Sequence, residues 1–356
     1  METKLQLPTL ATDTPLVSRL STACAVVAGI ATIVGVSALH KHAVRRAESL
    51  QKRRSPVHVG LLRMHVPQTF SDVVKNDVLL EKAVELVSHS LVIFVSGRDK
   101  HEVVTYTSEL YGLAWDVACT LDNPLLDLRI VGSGVTPASK TWEELVRLPE
   151  LNAVFGEDAL VNVQQLNAQR FEHDGLFAVT YYPLAMHIDR RLAADVTYFE
   201  HEHADLTPHG LVILGGTFDH LHNGHKKLLS LAVGICATRM IVGVTADRML
   251  KNKLHAELLE PLETRKSAVR AYIAFLNPTI VAEVVTIHDP FGPAIVIPEA
   301  AAMVASTETL AGAAKINSIR AGRGLPKLCV FACRRTESST LSSSCIRAKI
   351  AASRGC

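Results

Sequence analysis

"GGTFDHLHNGHKKLL", residues Gly215–Leu229, sets three histidines, three glycines and an aspartate within fifteen residues, directly after the apolar run "LVIL" (Leu211–Leu214). The apolar run reads as a buried strand, and a helical pattern follows the loop. Strand, tight loop and helix start put the loop at the carboxyl end of the strand, where open α/β sheets bind ligands. Gly215 and Gly216 allow a sharp turn and a close approach of backbone to ligand. Amides at the helix start, from Asn223 to Lys226, form an anion site. His222 and His225 are three apart, so both face one bound group, and Gly224 between them removes a side chain where a phosphate would sit. A metal could use the same two histidines, but no carboxylate or cysteine at fitting spacing completes a ligand set. Asp219 reads as a loop residue that hydrogen-bonds the backbone. Phosphate contact is the reading that uses every residue.

Outward from this loop the pattern is strand and helix in alternation. Downstream come strands at "MIVGVT" (Met240–Thr245), "IVAEVVTI" (Ile280–Ile287), "AMVAS" (Ala302–Ser306) and "LCVFAC" (Leu328–Cys333), with helices over Glu260–Leu276 and Gly312–Ala321 and a last one from Ser342. Five strands with crossover helices predict a doubly wound, Rossmann-like domain over residues 210–356. Upstream, "HVGLLRM" (His58–Met64), "LVIFVSG" (Leu91–Gly97), "LDLRIVG" (Leu126–Gly132), "AVFG" (Ala153–Gly156) and "FAVTYY" (Phe177–Tyr182) alternate with helical stretches Phe70–Val87, Val104–Cys119, Ser139–Leu148 and Val161–Phe171. They predict a second α/β domain over 57–200. Its "GSGVTPASK" (Gly132–Lys140) lacks the Gly before Lys of a phosphate loop, so a scaffold or docking role is expected there. The polar stretch 201–209 reads as the linker between the halves.

Residues 1–56 form an N-terminal extension. Leu20 to Leu39 carries no charge over 20 residues, with Arg19 before it and Lys41, Arg45, Arg46, Lys52, Arg53 and Arg54 after it. That length and charge bias make 20–39 a candidate membrane-anchor helix with the rest of the chain in the cytosol. A cleaved signal peptide and a disordered extension are the competing readings. Over all 356 residues, 48% are hydrophobic and 20% charged, as in folded globular proteins, and a net charge of +2 leaves no basic field for nucleic acid. Seven cysteines without a second paired cluster argue for reduced thiols rather than disulfides or zinc.

"GTFDHLHNGH" (Gly216–His225) resembles the signature of the nucleotidyltransferase superfamily, G-T-F-D followed by H-x-G-H. "LSSSCIR" (Leu341–Arg347) resembles its second motif, I-S-S-T-x-I-R, with Leu for Ile and Ser344 for Thr. Between them, "ADRMLKNKLHAELLEPLETR" (Ala246–Arg265), "DPFGPA" (Asp289–Ala294) and "STETLAGAAKINSIR" (Ser306–Arg320) are similar to the eukaryotic-type phosphopantetheine adenylyltransferases. The resemblance implies transfer of an adenylyl group from ATP to 4′-phosphopantetheine, giving dephospho-coenzyme A and pyrophosphate. It implies that His225 and His222 bind the α/β-phosphates and the developing charge, and that Lys251 or Lys253 bridges the two reacting phosphates. Gly215, Gly216, Thr217, Phe218, Gly224, Ser342, Ser343, Ser344 and Arg347 are then the ATP-binding set, with Arg265 and Arg320 as weaker substrate-binding candidates. Mg²⁺ is expected on the polyphosphate, held mainly by phosphate oxygens and water rather than by protein ligands. Thr307 stands where many relatives carry Glu, and "DPFGPAIVIPE" lacks their Asp after Gly-Pro-Ala, which weakens the acceptor assignment slightly. No kinase phosphate loop occurs, so dephospho-coenzyme A kinase is expected on a separate chain. An intracellular membrane such as the mitochondrial outer membrane is the expected place of the anchored form. The rival readings are a cytidylyltransferase acting on phosphocholine or phosphoethanolamine, and a non-catalytic nucleotide-binding scaffold.

Overall fold

Each half of the chain builds one parallel sheet from short runs of branched and aromatic residues, and the central strands are buried on both faces. The computed structural model describes residues 57–121, 123–156, 163–184, 206–333 and 342–354. In the first half, β1 (Val57–His65), β2 (Val87–Ser96), β3 (Asp127–Gly132), β4 (Ala153–Gly156) and β5 (Thr180–Pro183) pair in the order β3-β2-β1-β4-β5. Helices α1 (Phe70–Leu86), α2 (Lys100–Thr120), the single turn α3 (Trp142–Leu145) and α4 (Val163–Asp174) connect them. In the second half, β6 (His209–Gly216), β7 (Cys236–Thr245), β8 (Val281–Ile287), β9 (Ala302–Ser306) and β10 (Cys329–Cys333) pair in the order β10-β9-β6-β7-β8. Its helices are α5 (Asn223–Ile235), α6 (Leu262–Leu276), α7 (Leu310–Gly322) and α8 (Ser343–Arg354).

Counted from its own first strand, each sheet reads 3-2-1-4-5, so the two halves share one topology. In the second half the order reverses at β6, which lies between β7 and β9. The crevice above its carboxyl end is where such sheets hold ligands. The β6–α5 loop, with the histidines, occupies that place.

The starts of α1 and α2 differ in charge from that of α5. Thr69 and Asp72 close the first turn of α1 in a capping box, and Asp99 caps α2 by accepting from the Glu102 amide. Acidic groups therefore satisfy amides that would otherwise attract an anion. The first turn of α5 carries no acidic residue and is capped by the His222 ring, whose Nδ1 accepts from the Gly224 amide. Of these three helix starts, only that of α5 is suited to phosphate.

Residues 57–356 cluster as one compact unit, and buried apolar side chains of both sheets join in one cluster. The candidate anchor at 20–39 and positions 201–205 of the linker lie outside the described residues. Among the described residues no helix is long and apolar enough to cross a membrane.

Candidate active site

A cleft of about 380 Å³ opens at the carboxyl ends of the second sheet's strands. Gly215, Gly216, Thr217, His222, Gly224, His225, Lys253, Ser342, Ser343, Ser344 and Arg347 all line it. Two motifs that lie more than a hundred residues apart in sequence thus face one space.

The loop that carries the first motif is held in a fixed, uncommon shape. Phe218 and His220 both adopt left-handed backbone, at φ 53° and 52°, a region that costs side-chain-bearing residues energy. Asp219 between them is fully buried and holds the turn. One of its carboxylate oxygens accepts from the Glu260 amide at 2.9 Å, and the other pairs with the Arg347 guanidinium. Its carbonyl accepts from the Ser343 hydroxyl at 3.1 Å. The His220 amide donates to the Glu260 carboxylate at 2.7 Å, and its ring Nε2 lies 3.0 Å from the Leu258 carbonyl.

His222 and His225 stack, their ring centroids 3.9 Å apart. Because His222 Nδ1 accepts from Gly224, its ring proton sits on Nε2, which is then a donor. His225 lies deeper. Burial, followed by the neighbouring His222, holds its pKa well below the ordinary imidazole range, so it is neutral at physiological pH. Its Nδ1 is buried without a hydrogen-bond partner in the protein. The neutral His225 ring and the His222 Nε2 at a helix start can donate hydrogen bonds to phosphate oxygens.

The depressed pKa of His225 has a stability consequence. Above pH 6.5 the ring is neutral in folded and unfolded chains alike, and it contributes no pH dependence. As pH falls below 6.5 the unfolded chain takes up a proton that the folded chain refuses, so stability is lost at up to about 1.4 kcal/mol per pH unit. Urea unfolding at pH 7.5 and 5.5 is expected to show a smaller acid loss for His225→Gln than for the wild-type chain. Equal losses would contradict a buried neutral imidazole.

The geometry corrects several expectations about individual side chains. Phe218 is fully buried behind the cleft, its ring centroid 5.2 Å from that of His225, so it supports that ring instead of touching nucleotide. Lys253 lines the cleft while Lys251 does not. Arg265 is fully buried and donates to the carbonyls of Thr217 at 2.7 Å, Thr245 at 3.0 Å and Glu260 at 3.0 Å. Arg320 is fully buried too, donating to Pro326, Ala294 and Ile297 carbonyls at 2.7–2.8 Å. Neither guanidinium is open to a substrate; each brackets loop backbone that would otherwise be buried unpaired. Arg347 reaches the cleft wall but is committed to Asp219, to the Leu254 carbonyl at 3.0 Å and to the Ser344 hydroxyl at 3.2 Å. It ties the second motif to the first.

Lys227, Cys333, Ser306 and Thr309 also line the cleft, and the sequence motifs do not single them out. Lys227 follows His225 by two positions, and the Lys-Lys pair is the signal that could have found it. Burial pushes the Cys333 thiol up to about 11 despite the opposing pull of Lys227, so it is an inert thiol at neutral pH. Among the described residues no group of three His, Cys, Asp or Glu side chains could hold a metal ion.

Residues 213–349 match the family model described as Cytidylyltransferase-like. Over 117 residues the chain is 44% identical to the phosphopantetheine adenylyltransferase of Saccharomyces cerevisiae, covering 33% of this chain and 38% of that protein. Over 139 residues it is 40% identical to the phosphopantetheine adenylyltransferase of Pyrobaculum aerophilum, covering 38% of this chain and 88% of that one. The corresponding protein of Methanopyrus kandleri is 37% identical over 119 residues, which cover 33% of this chain and 74% of the relative. The match thus spans less than two fifths of the yeast relative and most of the two archaeal ones. With the histidine loop and the serine turn facing one cleft inside the matched segment, this chain belongs to the phosphopantetheine adenylyltransferase family.

Proposed function

We propose that the chain transfers the adenylyl group of ATP to 4′-phosphopantetheine, releasing pyrophosphate and forming dephospho-coenzyme A. The observation that carries this reading is the meeting of His222, His225, Lys253 and Ser342–Ser344 around one cleft at a helix start that carries no acid. A phosphate oxygen of the acceptor attacks the α-phosphorus of ATP in line, and the bond to the bridging oxygen of pyrophosphate breaks. The nucleophile is already ionised, so the protein need not remove a proton; positioning and charge stabilisation remain. His222 and His225 donate to the phosphate oxygens on which charge develops. Lys253 approaches the two reacting phosphates, and the serine hydroxyls and amides at the start of α8 hold the β/γ end.

Mg²⁺ would supply charge neutralisation on the polyphosphate. The cleft fits an ion held mainly by phosphate oxygens and water, because its lining is mostly hydroxyl, amide, imidazole and ammonium groups, with Glu308 as the one carboxylate among the described lining residues.

The Cytidylyltransferase-like description keeps one second reading alive, transfer from CTP to a phospho-alcohol. Pyrophosphate release by the purified chain separates the two. Release with ATP and 4′-phosphopantetheine is expected. Release only with CTP and phosphocholine or phosphoethanolamine would overturn the proposal.

A further inference from the structure

Helix α5 carries the site histidines at its cap, His222, and in its first turn, His225, and its outer face meets the first half of the chain. Lys226, Ser230 and Gly234 lie four residues apart and so form one stripe along the helix. Lys226 Nζ pairs with the Asp127 carboxylate on β3 and donates to the Leu128 carbonyl at 2.8 Å. Ser230 Oγ lies 3.3 Å from the hydroxyl of Tyr111 on α2 and 3.3 Å from that of Tyr272 on α6, and the two tyrosine hydroxyls bond each other. At Gly234 a Cβ would stand 3.3 Å from Val135 and 3.5 Å from Val104, so the first half packs closely here and a larger residue would require Val135 to give by a few tenths of an ångström. Every turn of the helix meets a different residue of the first sheet unit.

We propose that the first sheet unit braces the catalytic helix, with Asp127 as a positioning residue that fixes His222 and His225 through Lys226. The inference rests on the adenylyl-transfer reading of the cleft. Lys226 adjoins His225 in the chain, and an α-helix is stiff over one turn, so displacement of the lysine end carries the imidazoles with it. The lysine is only 5% exposed, an expensive place for an ammonium unless the partner is well placed. Burial pushes the Asp127 carboxyl up, and Lys226 with Arg129 more than offsets it, holding the carboxyl below its ordinary value. Asp127 is therefore ionised at neutral pH, and while burial lowers the pKa of the Lys226 ammonium, the facing carboxylate opposes that shift. The starts of α1 and α2 in the first half are closed by Asp72 and Asp99 and offer no anion site.

The test is Asp127→Asn in the full chain, read in two independent ways. Pyrophosphate release per folded molecule is expected to fall about tenfold in kcat, with KM for both substrates within about twofold, because misplacement of a catalytic group acts on the chemical step. In protein labelled with ¹³C-histidine, the ring resonances of His222 and His225 are expected to move, and Asp127→Glu is expected to restore part of both effects. If only the thermal midpoint falls, while kcat and the ring resonances stay at wild-type values, the pair merely joins the two halves and the proposal is wrong. Should Asp127→Asn fail to fold, Tyr111→Phe removes one hydroxyl from the same stripe, and unmoved histidine resonances there would overturn the brace equally. The resonances need no turnover: a wild-type chain that released no pyrophosphate would overturn the reaction, and the brace would still be judged by its histidines.

Discussion

Replacing His225 with alanine is expected to lower kcat by about 10²- to 10³-fold, the usual loss when one preorganised donor to a developing charge is removed. The ring is half-buried in the cleft wall, stacked on His222 at a centroid distance of 3.9 Å, and kept neutral by its surroundings. Its donor is thus set before substrate arrives, and no water dipole can replace it without reorganising. Folding should suffer far less. The lost packing against His222 and Phe218 is partly offset by removing a buried Nδ1 that has no partner. Steady-state pyrophosphate release together with urea unfolding checks both halves of the expectation. A near-normal kcat in a folded Ala variant would remove His225 from the phosphate site, and His225→Gln offers a second variant that keeps a donor.

The second large effect belongs to Asp219. Asp219→Ala strands the Arg347 guanidinium, 1% exposed, without its carboxylate. Breaking a buried pair from one side costs about 3–5 kcal/mol. In a unit of this size that corresponds to a fall of order 10 °C in thermal midpoint. The double variant Asp219→Asn with Arg347→Met is expected to lose less than the sum of the single changes, since neither partner is then left charged and alone. Additive losses would show that the two side chains do not act as a unit. Activity should fall with Asp219→Ala as well, because its carboxylate anchors Arg347 and the Glu260 amide to the histidine loop.

How much of this was legible in the sequence depends on how local the cause was. Strands β4 and β9 fall where their apolar runs end, and β6 carries its run into the histidine loop as expected. Helix α2 begins at Lys100 rather than near Val104, because Asp99 caps it through the Glu102 amide, a signal outside the apolar pattern. The stretch Ser139–Leu148 yields one turn, Trp142–Leu145, started by the Thr141–Glu144 capping box and followed by Pro149. Strand β5 starts at Thr180; Phe177, an aromatic that reads as strand, is 91% exposed while its carbonyl accepts from buried Arg170. Cys329 and Cys333 do fall on one strand, but β10 is at the sheet edge and only Cys333 is buried.

At the site, the histidines, glycines and serines were readable because their chemistry is local to a strand-to-helix turn and a helix start. The arginines were not. Arg265 finds its carbonyl at Thr217, 48 residues earlier, and Arg347 finds Asp219, 128 residues earlier. Whether a guanidinium faces a ligand or a loop is decided by which backbone the fold brings beside it. Helical spacing carries no trace of that.

The two left-handed residues of the histidine loop have a thermodynamic meaning for the ligand. Phe218 and His220 hold conformations that an isolated segment would rarely visit, and the Asp219, Glu260 and Arg347 contacts keep them there. The conformational entropy of this turn is therefore lost when the chain folds, long before any nucleotide is present. A phosphate that enters the cleft meets donors already aimed, so its binding free energy is not consumed in ordering the loop, and more of it is left to favour the transition state over the ground state.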